Sequence, residues 1–91
     1  MLIRQNTYYY LALLILSLPA LASQNCDYAT RLVIQAYDWG DSGHKDKEKK
    51  LLNQALQICP NHAEAHNNLA SLLEEQGNYP QAIAHYRQAL Q

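Results

Sequence analysis

Few residues in this 91-residue chain can do chemistry: two cysteines, four histidines and a lysine-rich stretch. Cys26 and Cys59 do not form a C-x-x-C pair, so the common redox motif is absent. In an oxidising compartment they suit a disulfide. It would close a loop of about 34 residues and contribute about 3–4 kcal/mol in the loop-entropy model. The competing reading is two free thiols, one at a helix end and one in a frayed terminus. His62 and His66 stand four apart, a spacing at which two imidazoles on one helix can share a metal. The intervening Ala63-Glu64-Ala65 is not H-E-x-x-H, and His44 and His85 lie on other segments without a visible third ligand. No metal or cofactor is therefore expected. With three glycines there is no glycine-rich phosphate loop, and no motif positions a Ser/His/Asp set. The chain is expected to have no catalytic residue and not to be an enzyme.

Lys45, Lys47, Lys49 and Lys50 alternate with Asp46 and Glu48, the pattern of a solvated helix start. The whole chain carries a formal charge of −1. Nucleic acid, which is captured through many basic contacts, is excluded as a partner.

Elements must position these groups, and the chain divides at residue 22. Residues 1–22 hold one charge, Arg4, then an apolar run from Tyr8 to Leu18, then Pro19-Ala20-Leu21-Ala22. That order is expected for a secretory signal peptide cut after Ala22, giving a periplasmic or secreted protein. The run is too short for a bilayer core needing roughly 20 apolar residues, so no stable membrane span is expected after cleavage. The remainder, 23–91, has helical periodicity throughout: Leu32, Ala36 and Trp39; Leu51, Leu52, Ala55 and Leu56; Leu69, Leu72 and Leu73; Ala82, Ile83, Tyr86 and Ala89. Breakers at Gly40-Asp41-Ser42-Gly43, Cys59-Pro60-Asn61 and Gly77-Asn78-Tyr79-Pro80 cut it into four helices. Gly40 is expected to end the first helix early. Asn61 with Glu64 is expected to cap the third. Pro80 suits a first helical turn, where its missing N–H costs nothing.

The breakers themselves repeat. Gly43 and Gly77, Ala36 and Ala70, Ala55 and Ala89, and Leu56 and Leu90 each lie 34 residues apart. His66-x₂-Leu69-Ala70-x₂-Leu73 followed by Ala82-x₃-Tyr86 fills the pattern of a 34-residue helix–turn–helix unit. The chain resembles the tetratricopeptide repeat (TPR) family, seen here as an exported bacterial member. The resemblance implies an all-α fold of two antiparallel hairpins, stacked as a short right-handed α-solenoid behind the apolar signal segment. Repeat 1 covers about 28–61 and is degenerate, with Gln35 and Glu48 where a large apolar and a small residue belong. Repeat 2 covers about 62–91 and its last helix is short. His66 takes the place of the family's tryptophan, which makes it a packing residue.

In this family the first helix of each repeat lines a concave groove for an extended peptide. Carried over by register, the groove residues are Tyr37, Glu64, Asn67, Asn68, Ser71, Glu74 and Glu75, with Thr30, Val33 and Asp41 from the degenerate repeat. Asn68 matches an asparagine that holds a peptide backbone, since an amide both donates and accepts. Val33 and Tyr37 stand where carboxylate-gripping members have polar residues, and no lysine is expected in the groove. A neutral or basic segment is the expected ligand. The implied function is a non-catalytic protein–protein interaction module or scaffold of the bacterial envelope. The alternative is an N-terminal docking portion of a larger envelope protein whose further domain carries enzymatic or wall-anchoring function. Self-association through the open Ile83/Leu90 face is a third expectation.

Overall fold

The computed structural model describes residues 25–91. The segment read as a signal peptide lies outside them. The described chain is four helices: α1 over 25–41, α2 over Lys45–Ile58, α3 over Ala63–Glu75 and α4 over Tyr79–Ala89. Among the described residues there is no strand, and no helix is long and apolar enough to cross a membrane.

Apolar residues three and four apart put one stripe of each helix into a shared core. Ala29, Leu32, Val33 and Ala36 come from α1, Leu52 and Ala55 from α2, Ala65, Leu69 and Leu73 from α3, and Ala82 from α4. Half of these are alanines, whose small side chains let the helix backbones approach closely. Leu52, Leu69 and Val33 fill the space between them and are the largest fully buried side chains.

The 34-residue period is visible in the hydrogen bonds that end α1 and α3. In α1, Gly43 N–H donates to Gly40 O (3.0 Å) and His44 N–H to Trp39 O (2.9 Å). In α3, Gly77 N–H donates to Glu74 O (2.9 Å) and Asn78 N–H to Leu73 O (2.8 Å). Both are Schellman caps, with glycine at φ +89° and +78° where a β-carbon would be strained. The following helix starts alike in both: Glu48 N–H donates to His44 O, and Ala82 N–H to Asn78 O. Pro80 lies in the first turn of α4, as its missing donor allows.

Two sequence expectations are corrected. Gly40 does not end α1; it is helical and buried, and the helix runs one residue past it. Its lack of a side chain serves packing, because a β-carbon there would overlap the Glu48 carboxylate. Nor is Asn61 the cap of α3. The cap is His62, whose Nδ1 accepts from Ala65 N–H at 3.1 Å. An acceptor Nδ1 fixes Nε2–H as the tautomer, and Nε2 donates to Thr30 Oγ1 at 2.8 Å. The Thr30 hydroxyl passes on to Cys26 O at 3.0 Å. Beside this chain Cys26 and Cys59 form a disulfide with Cα atoms 5.1 Å apart, so α1 is tied covalently to the end of α2. The bridge joins residues 33 apart in sequence, at the ends where an antiparallel hairpin brings its helices together.

Candidate binding cleft

Helices α1 and α3 flank a cleft of about 220 Å³ lined by Tyr37, Gly40, Asp41, Lys45, Glu48, Asn68, Ser71, Leu72 and Glu75. Leu72 is buried and forms an apolar floor. Asn68 is half-buried at its wall, and Tyr37 stands 66% exposed at its mouth. The ionisable groups converge from α1, α2 and α3. Lys45 Nζ lies 3.5 Å from Glu48 Oε2 and 3.6 Å from Glu75 Oε2. The Glu48 carboxylate, then Glu75, holds the Lys45 ammonium above the ordinary lysine value. At these distances the contacts are ion pairs, not close hydrogen bonds. Glu48 Oε2 is buried and has no hydrogen-bond partner among the described residues. With Asp41, Glu48 and Glu75 against Lys45, the cleft is net negative.

Of the residues that register assigns to a groove, Tyr37, Asp41, Asn68, Ser71 and Glu75 line this cleft. Glu64 and Asn67 are exposed on α3 away from it. Glu74 faces α4 and accepts from Tyr86 Oη at 2.9 Å, and that bond holds the Tyr86 hydroxyl above its usual value. Val33 is 1% exposed and belongs to the core. Thr30 is spent on His62. Sequence reasoning missed Gly40, Lys45 and Glu48. Lys45, expected on a solvated face with no lysine in the groove, enters the cleft because its i,i+3 partner Glu48 points there. Lys47 is also less free than a solvated lysine: its Nζ sits 3.6 Å from the Trp39 ring centroid.

The histidines pair differently from their spacing. His62 and His66 do not converge, since both His62 nitrogens are engaged by Ala65 and Thr30. His66, 7% exposed, instead meets His85 of α4, with the two Nδ1 atoms 2.9 Å apart. His66 Nε2 lies 2.7 Å from Pro60 O, an acceptor, so Nε2 carries the hydrogen and donates. In the neutral pair His66 Nδ1 then accepts from His85 Nδ1–H.

Residues 63–91 match the family model Tetratricopeptide repeat. The match covers the α3–α4 hairpin. The α1–α2 hairpin lies outside it, although its helix cap reproduces that of the matched repeat bond for bond. The chain is also similar to "Protein O-mannosyl-transferase TMTC4" of Mus musculus, 37% identical over 59 residues. The similar stretch is 65% of this chain and 7% of that protein, so this chain spans a small fraction of its relative's length.

Proposed function

We propose that the chain is a non-catalytic interaction module that binds an extended segment of a partner protein in the cleft between α1 and α3. The carrying observation is the convergence of Asn68, Ser71, Glu75, Tyr37 and Asp41 on one cleft beside the matched repeat hairpin. Asn68 supplies a donor and an acceptor for a partner's backbone. The excess of carboxylates favours a neutral or basic segment. On the sequence of residues 1–22 we place the module outside the inner membrane of a bacterium, with the mature chain, residues 23–91, forming the repeat domain and starting at Ser23. Amino-terminal sequencing of the exported protein tests that placement, and an intact Met1 in the exported fraction would overturn it. The binding reading is tested by selecting peptides from a random library on the folded protein. Asn68→Ala and Glu75→Lys are expected to weaken selected basic peptides at least tenfold while leaving the circular dichroism spectrum unchanged. Retention of full affinity in both variants would reject the cleft as the site.

A second reading is that these repeats are the docking portion of a larger envelope protein, whose further domain carries the enzymatic or wall-anchoring step. The similarity to a short stretch of a much longer protein supports it, as does the exposed Ile83 (49%) on α4. Sequencing the genomic reading frame across Gln91 tests it; a stop codon at that point would remove this reading.

A further inference from the structure

We propose that His66 and His85 form a two-histidine site for a divalent transition-metal ion, taking Cu²⁺ most tightly. The geometry on which this rests is the 2.9 Å separation of the two Nδ1 atoms. Imidazole nitrogens bind such ions at about 2.0–2.1 Å, so two cis ligands stand about 2.9 Å apart at a right angle and about 3.3 Å apart at the tetrahedral angle. The ring centroids are 5.2 Å apart with planes 31° from parallel. Both rings must swing off the line of their hydrogen bond for the two Nδ1 lone pairs to share an ion, the partly exposed His85 ring most of all.

The second feature is the outer hydrogen bond. Ligating histidines are commonly oriented by donating their other ring N–H to a carbonyl or carboxylate. His66 already does so, through Nε2–H to Pro60 O at 2.7 Å, and this leaves its Nδ1 lone pair facing His85. His85 carries its hydrogen on Nδ1 in the metal-free pair. Binding moves that hydrogen to Nε2 by exchange with water, a change of tautomer with no change of net charge. Both ligands then bind through Nδ1, with His66 Nε2–H kept on Pro60 O.

The site opens into a surface concavity of about 580 Å³ that Asn53, Leu56, Gln57 and Pro60 line together with the two histidines. No carboxylate lines it, and among the described residues no group of three or more His, Cys, Asp or Glu is placed to hold a metal. Water would complete the shell, and the Asn53 and Gln57 amides line the same concavity. An uncharged, nitrogen-led donor set favours Cu²⁺ over Ni²⁺ and Zn²⁺ in the Irving–Williams order, and disfavours Mg²⁺ and Ca²⁺.

The test is calorimetric titration of Cu²⁺, and separately Zn²⁺, into the full disulfide-bonded chain, paired with electron paramagnetic resonance of the Cu²⁺-loaded protein. One ion per chain is expected, with resonance splitting from two imidazole nitrogens. His85→Ala, at the rim, is expected to weaken binding at least tenfold, and the exposed His44→Ala to leave it unchanged. His66→Gln, with folding checked by circular dichroism, should also lose the two-nitrogen signature. Wild-type affinity in His85→Ala, loss in His44→Ala, or no uptake at millimolar Cu²⁺ would overturn the site.

Discussion

The carboxylate of Glu48 occupies the space that a β-carbon on Gly40 would need. One repeat further on, the same two positions hold Glu74 and Ala82, so the glutamate and the small residue have exchanged helices. In the matched repeat Glu74 turns outward to Tyr86 and Ala82 is 2% exposed. In the first hairpin the glutamate lies on α2, and α1 accommodates it by having no side chain at Gly40.

That exchange predicts coupling between the two positions. Alanine is worth about 1 kcal/mol more than glycine inside a helix. In the native background Gly40→Ala must push the Glu48 carboxylate outward, which cancels the gain. In a Glu48→Ala background the same change should stabilise by about 1 kcal/mol. A double-mutant cycle in urea measures the coupling, and additivity within about 0.3 kcal/mol would refute it.

The two Schellman caps make a paired prediction. Gly43 and Gly77 sit at positive φ with open space around the missing β-carbon, so strain alone decides. Gly43→Ala and Gly77→Ala should each cost about 1–2 kcal/mol, and asparagine at either place less. A neutral Gly77→Ala in thermal unfolding would contradict the left-handed cap.

Removal of the Cys26–Cys59 bridge should be felt chiefly by α1. The Cys26→Ser/Cys59→Ser variant is expected to lose about 3–4 kcal/mol, since the closed loop spans 33 residues. Hydrogen exchange should show the α1 amides losing most protection and those of α3 and α4 least. Uniform loss across all four helices would argue against this.

Acid should loosen the contact between α3 and α4 in metal-free protein. Burial, and next the neighbouring His66, hold His85 below the ordinary histidine value of 6.5. A depressed folded value means that the unfolded chain takes the proton first. The contribution is whole above pH 6.5, declines as pH falls below it, and is gone once pH passes the folded value. Chelator-treated His85→Gln should show a flatter stability profile between pH 7 and 5 than wild type, and parallel profiles would exclude the pair as the cause.

The fold was largely legible because breakers and small residues act locally. Gly43, Gly77 and Pro80 each satisfy or omit a backbone hydrogen bond within one turn, and the two cap glycines recur 34 residues apart. The cysteine pairing was legible for a related reason: the two ends of an antiparallel hairpin must meet. What sequence spacing misplaced depends on contacts between helices. Gly40 looks like a breaker until Glu48 is seen against it. His62 and His66 look like a pair until Thr30 and His85 claim them. In the cleft, Asn68 and Glu75 follow from register on one helix. Lys45 was missed because its direction is set by Glu48 and Glu75, which lie on two different helices.

The sulfur bridge also decides how the molecule would carry tension. A pull applied between residue 25 and Gln91 passes from Cys26 to Cys59 through the disulfide, and residues 27–58 lie on a side loop that bears no load. Stretching the oxidised chain to its full contour should therefore fall short of the reduced chain by about 110 Å, the extended length of that loop. Force reaching the first hairpin would enter only through its packing on α3. The first repeat would thus act as a clasp carried along by the second, released only when a reductant opens the ring.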